Sequence, residues 1–269
     1  DLTTEQIEAH LARFDEDYQL LVDIFGQPSD VDGDGRVGLV YTPFVDRIGL
    51  GGFQDPDSIL PQEVGGNGNN ADLLFLAAYE AQRFYRPLIA HEFLHLINFH
   101  QHVVVREGDD EATWLDEGLA HVAEDFVDGF VDGNSAQLAQ AFLANPSRVG
   151  LNAFGDVIDA ERGAAYLFVR SLVDRFGVGV LARLVQTGQT DRANVESATG
   201  VPFRELMAGF ATGLYTSGND LGHSRFDYRY KGLVDAEGRA FPMPRVLRSG
   251  PDSTPNGIIQ PRGVAFVEV

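Results

Sequence analysis

Apolar residues recur at helical spacing near the start of the chain, where Ile7, Leu11, Phe14, Tyr18, Leu21 and Ile24 fall on one face before Gly26. Thr3 followed by Gln6 has the form of a capping box, so the spacing predicts a first helix of about 20 residues. A turn-rich acidic stretch comes next, and Val37, Leu39 and Tyr41 then alternate as a strand that stops at Pro43. Glycine and asparagine punctuate residues 51 to 70, and Leu73 to Tyr79 is a short apolar run suited to a buried strand. Pro87 fits the first turn of a helix reaching about His102, and a second helix is predicted over Thr113 to Phe126. Beyond that the pattern is mostly helical, over Ala164 to Phe176, Val180 to Val185 and Phe203 to Tyr215. Five prolines after residue 239 interrupt short apolar runs such as Val264 to Val269, which predicts an extended tail. The expected class is therefore α+β. Residues 1–128 would hold a mixed sheet and the first helices, 129–238 a mainly helical lobe, and 239–269 the tail.

Charge and composition narrow the chemistry. Forty acidic against twenty basic side chains give the 269-residue chain a formal charge of -20, a field that repels phosphate backbones and argues against nucleic acid as a partner. Apolar runs such as Leu73 to Ala78 fall far short of the roughly 20 residues a membrane span needs, so no membrane insertion is expected. Cysteine is absent, which removes disulfides, thiolate nucleophiles and cysteine-type zinc sites together. Any transition metal must then be held by histidine and carboxylate. The chain starts at Asp1 without a basic-then-apolar leader, which we read as a processed secreted protein or a trimmed one, expected as a monomer.

His91-Glu92-Phe93-Leu94-His95 is an H-E-x-x-H motif inside the apolar helical run Leu88 to Ile97. Residues four apart share a helix face, so His91 and His95 can turn a ring nitrogen toward one ion while Glu92 reaches a water beside it. The plainer reading, a buried helix that happens to carry these residues, leaves a charged Glu92 among Phe and Leu unexplained. Trp114-Leu115-Asp116-Glu117-Gly118-Leu119-Ala120 opens the next predicted helix, with twenty-one residues between His95 and Glu117.

That second stretch resembles the W-L-[ND]-E-G-x-[AS] signature of the gluzincin metallopeptidases. Leu88 to His100 together with Trp114 to Asp125 is similar to the hyicolysin family of secreted bacterial neutral metalloendopeptidases. Asp30 to Tyr41 and Ala165 to Gly177 also look familial. The resemblance implies a thermolysin-like pair of lobes with the active-site helix crossing the cleft floor, Zn2+ on His91, His95 and Glu117, Glu92 as general base, and a peptide or protein as substrate. It also implies that Glu124, seven after Glu117, orients His91 through its distal N–H, although a solvated helix residue is an equal alternative. His121 stands where thermolysin-like relatives carry an acidic partner for a zinc histidine. For the oxyanion donor, Tyr166 is the expected residue, against a reading as a core aromatic beside Leu167 and Val169, with His223, Tyr228 and Tyr230 as competitors.

Two further features stand outside the zinc motifs. Asp30-Val31-Asp32-Gly33-Asp34-Gly35 fits the first half of a calcium loop, making Asp30, Asp32 and Asp34 possible Ca2+ ligands, but position twelve is Tyr41 where such loops need Glu. An Asx-rich turn explains the same residues. The glycine-rich stretch Gly65 to Asp72 lacks phosphate-cradle spacing, and Asn69 to Leu76 is expected to form the edge strand that lines a substrate cleft. The function expected from all of this is a zinc-dependent endopeptidase. A zinc aminopeptidase or other amidase, or a catalytically silent zinc-containing binding module, are the alternatives.

Overall fold

The computed structural model describes residues 2–66, 68–78, 84–129, 134–144, 146–151, 158–216, 246–248 and 266–268. Helix α1 spans Thr4–Phe25. Its capping box is formed reciprocally, with Thr3 Oγ1 accepting from the Gln6 backbone at 3.3 Å and Gln6 Oε1 accepting from the Thr3 backbone at 2.8 Å. The helix buries Phe14, Leu21, Val22 and Phe25. Phe14 meets Phe93 edge-on and Tyr18 stacks on the same ring, each pair 5.1 Å between centroids, which fixes α1 against the motif-bearing helix.

Strand β1 (Gly38–Thr42) leads into a short helix α2 (Pro43–Arg47), followed by β2 (Gly52–Gln54) and β3 (Leu73–Ala77). The three strands form one mixed sheet in the order β1-β3-β2. β1 runs parallel to β3 with Gly38 opposite Leu73, and β2 runs antiparallel to it with Gly52 opposite Leu76. The central strand carries the buried Leu74, Leu76 and Ala77. This order corrects the expectation that Asn69 to Leu76 supplies the cleft edge. Both sides of β3 are already paired, so among the described residues the strand with an unpaired edge that also lines a cavity beside His91 and Glu92 is β2.

Helix α3 (Tyr85–Phe99) carries Pro87 in its first turn and passes into a π-helical turn over His100–Val104. It lies between α1 and α4 (Thr113–Val127). The helical remainder is α5 (Ser135–Leu143), α6 (Ile158–Phe176), α7 (Gly179–Val185), α8 (Asp191–Thr199) and α9 (Phe203–Thr216). Helices α4 and α6 approach so closely at Gly118 that a Cβ there would sit 2.8 Å from the Ala165 carbonyl oxygen. Glycine is thus required at the position following Glu117. Trp114, Phe168, Phe203 and Phe210 pack edge to edge where α4, α6 and α9 meet, within a core that continues to α1 and β3. In the tail, β4 (Val246–Arg248) and β5 (Phe266–Glu268) pair in parallel.

The loop before α4 is tied down by one buried carboxylate. Glu111 accepts from the Asp191 backbone and the Asn194 side chain at 2.6 Å each and from the Ala112 backbone at 2.7 Å. Burial nevertheless pushes its pKa up to about 7. A carboxyl whose folded-state pKa is raised favours the folded state most below its unfolded value and loses that advantage as pH climbs through the folded one. Urea denaturation should therefore show Glu111→Ala less stable by about 3 kcal/mol, from stranded donors. Glu111→Gln should flatten the decline in stability between about pH 4.5 and pH 7. A parental pH slope in the Gln variant would assign the slope to other groups.

Candidate metal centre

Two helices deliver the site. On α3, His91 and His95 lie one turn apart with their rings T-shaped at 4.8 Å between centroids. On α4, Glu117, His121 and Glu124 follow at helical spacing and face α3. His91 Nε2 lies 3.5 Å from Glu117 Oε2, and His121 Nε2 lies 3.8 Å from the same oxygen. Ligand atoms of His91, Glu117 and His121 all fall within 4.8 Å of one another. Among these, Glu117 Oε2 and His121 Nε2 are buried without a hydrogen-bond partner. Buried polar atoms left unpaired cost about 1–3 kcal/mol each, so a cation accepted by both suits this donor set.

The far sides of the rings are held by carboxylates. Glu124 Oε1 lies 2.8 Å from His91 Nδ1 and 2.6 Å from His121 Nδ1. His95 is not a member of the three-residue group, and its Nδ1 stands 2.8 Å from Asp116 Oδ2. His91 and His121 thus have Nδ1 against Glu124 and Nε2 toward Glu117, the arrangement that orients metal-bound histidines. Asn98 Nδ2 donates to Asp116 Oδ1 at 2.7 Å and steadies that carboxylate.

Electrostatics follow the packing. Burial works against ionisation of Glu117, but the nearby His91, His95 and Arg162 hold its carboxyl well below the usual range. Burial likewise opposes ionised Glu124, yet His121 and His91 hold it at about 2. Glu92 is shifted the other way, with its pKa raised by burial despite the pull of His91 and His95. Only 4% of Glu92 is exposed, and it lies outside the three-residue group, against β2. A Cβ on Gly52 would come within 3.0 Å of Glu92 Cγ and Oε1, so the strand edge needs glycine at this point.

Two cavities share this centre. One, of about 360 Å3, is lined by His91, Glu92, His95 and Glu117 together, with Phe53, Gln54, Asp110, Asp116 and Arg162 around them. The other, of about 380 Å3, continues past His91 and Glu92 to His121, Glu124, Leu88 and Gln137. Gly52, Leu50 and Arg162 border both.

Tyr166 is not at the cleft. It is fully buried, with its hydroxyl donating to Asp125 Oδ2 at 2.6 Å and accepting from Arg170 at 3.0 Å, so the helix face that carries it turns into the core. The competitors His223, Tyr228 and Tyr230 lie outside the described residues. His102 is buried, with a ring nitrogen 3.2 Å from the Leu184 carbonyl oxygen. Sequence reasoning missed Arg162, whose Nη2 lies 3.2 Å from Glu117 Oε1 and whose buried Nε has no hydrogen-bond partner. Its place in Ala160-Glu161-Arg162-Gly163 gave no sign that α6 would bring it over α4. His121 was read as a departure from the thermolysin-like pattern, and the spacing of four after Glu117 was the signal that it shares the ligand face.

No family profile matches the chain. Over 173 residues it is 26% identical to the neutral metalloprotease ShpI of Staphylococcus hyicus, an alignment covering 57% of this chain and 38% of that protein. The chain is a distant relative of a neutral metalloprotease. The family resemblance carried by the H-E-x-x-H and W-L-D-E-G motifs holds, while the chain spans well under half the length of the relative it matches. No helix among the described residues is long and apolar enough to cross a membrane.

Proposed function

We propose that this chain is a zinc-dependent endopeptidase of secreted bacterial origin, with the two-lobed thermolysin-like arrangement. The observation that carries the reading is the convergence of His91, Glu92, His95 and Glu117 on one cavity bordered by a free strand edge. His91, His95 and Glu117 would hold Zn2+ through two Nε2 atoms and one carboxylate oxygen. Bound there, zinc would supply Lewis acidity toward the scissile carbonyl and lower the pKa of water at the site.

The remaining work falls to the chain's own side chains. Glu92, kept inclined to hold a proton by burial, takes one from the attacking water and returns it to the leaving amine. β2 offers backbone groups to an extended peptide, with Gly52 letting that peptide approach Glu92. Arg162 reaches the cleft with a guanidinium able to donate to the substrate carbonyl as negative charge builds on it, the role first expected of Tyr166. Glu124 and Asp116 hold the imidazoles in the tautomer that presents Nε2.

A second ligand set has its own support. His121 belongs to the tight group that excludes His95, so His91, Glu117 and His121 would also make a two-histidine, one-carboxylate centre. His95 is preferred because it shares the cavity with Glu92 and Glu117, whereas His121 opens onto the neighbouring one.

The test is an internally quenched peptide blocked at both ends. Hydrolysis at an internal bond, abolished by a chelator and restored by zinc, is the expected result. Turnover confined to amino-acid anilides would shift the reading to an aminopeptidase, and zinc binding without any hydrolysis would shift it to a silent binding module.

A further inference from the structure

Away from the zinc motifs, Asp72 stands at the entry to β3 and is only 2% exposed. Its Oδ2 accepts from the Val31 backbone at 2.9 Å, while its Oδ1 is buried without any hydrogen-bond partner. Carboxylate oxygens of Asp30, Asp32 and Asp72 lie within 4.8 Å of one another. A buried carboxylate normally has a cation or a full set of donors, because leaving it unpaired is costly. Burial pushes the Asp72 pKa up against hydrogen bonding from Ser29 and Val31, and the charged neighbours that bear on it, Asp32 and Asp30, are two further acids that push the same way.

We infer that Asp30, Asp32 and Asp72 form a binding site for a hard divalent cation of the calcium type. Three carboxylates supply the all-oxygen ligand set that calcium takes at about 2.3–2.6 Å, a radius that fits oxygens spread over this distance. The assignment differs from a linear calcium loop in its third ligand. Asp34 lies outside the group, and its Oδ1 accepts from the Arg36 backbone at 2.8 Å. Asp30 and Asp32 come from the loop between α1 and β1, whereas Asp72 immediately precedes β3, the direct partner of β1, so an ion here would clamp that loop to the sheet. Gly38 already donates to the Asp72 carbonyl at 2.7 Å, which brings β1 into the same clamp. None of this depends on the zinc reading.

Thermal unfolding of the full chain, at fixed zinc content in calcium-depleted buffer, tests the site. Added calcium should raise Tm by about 5 °C at a hundredfold excess over Kd. Asp72→Asn keeps an oxygen for the Val31 N–H and removes the unpaired charge, so its calcium-free Tm should equal or exceed the parent's while the rise with calcium disappears. Asp34→Asn should respond as the parent does. Should Asp72→Asn fail to fold, Asp32→Asn on the exposed side decides the matter, because terbium bound at the site and sensitised by the nearby Tyr18 should lose its emission in that variant. The inference is overturned if calcium leaves the parent's Tm unchanged, if Asp72→Asn keeps the parental rise, or if terbium emission survives in Asp32→Asn.

Discussion

Glu92→Gln is expected to leave the zinc content of the protein unchanged and to lower peptide hydrolysis by at least about 100-fold, the usual scale for a lost acid–base group. The two halves of that result come from separate features. On the proposed reading His91, His95 and Glu117 hold the ion, so the Glu92 carboxylate is not needed for that. Its side chain faces the β2 edge, where a Cβ on Gly52 would touch Oε1, and that is the side from which a peptide would enter. Glutamine preserves the volume between Gly52 and His91 and removes only the ability to accept a proton. Full activity in the variant with normal zinc would remove Glu92 from the mechanism. Loss of zinc along with activity would instead make it a ligand.

His95→Ala should emerge from purification without its metal, and His121→Ala should retain about one zinc per chain, as metal analysis would show. Deleting a ligand removes a direct bond to the ion, whereas deleting a ring that only borders it changes affinity by roughly 10- to 100-fold. His121 has a second task that survives in either case. It shares Glu124 Oε1 with His91, and without it that oxygen would serve His91 alone. The reverse outcome, zinc kept by His95→Ala and lost by His121→Ala, would establish the ligand set His91, Glu117 and His121.

How much of this could be read from the chain depended on how local the signal was. The capping box at Thr3 and the apolar period behind it define α1 within a residue, because cap and period both act inside one turn. Thr113 to Phe126 as a predicted helix differs from α4 by a single residue for the same reason. Helix α8 was missed because it buries only Asn194, Val195 and Ala198, too few for a periodic apolar face. Strand order was beyond reach. Nothing in Leu73 to Ala77 distinguishes a central strand from an edge, since the difference lies in what β1 and β2 do. The site divides along the same line. His91, Glu92, His95 and Glu117 announce themselves by spacing within single helices, while Arg162, Asp72 and the inward turn of Tyr166 are set by how separate helices and loops pack.

Strand β2 is three residues long. At about 3.4 Å per residue, its exposed backbone can grip a partner over only about 10 Å. On the proposed reading, the protein would therefore measure its substrates by shape more than by sequence. A chain segment that can be drawn out straight for a few residues satisfies the edge whatever its side chains, and a helix or tight turn does not. Susceptibility would then track local unfolding of the target, and a well-folded neighbour would be spared without any motif to protect it.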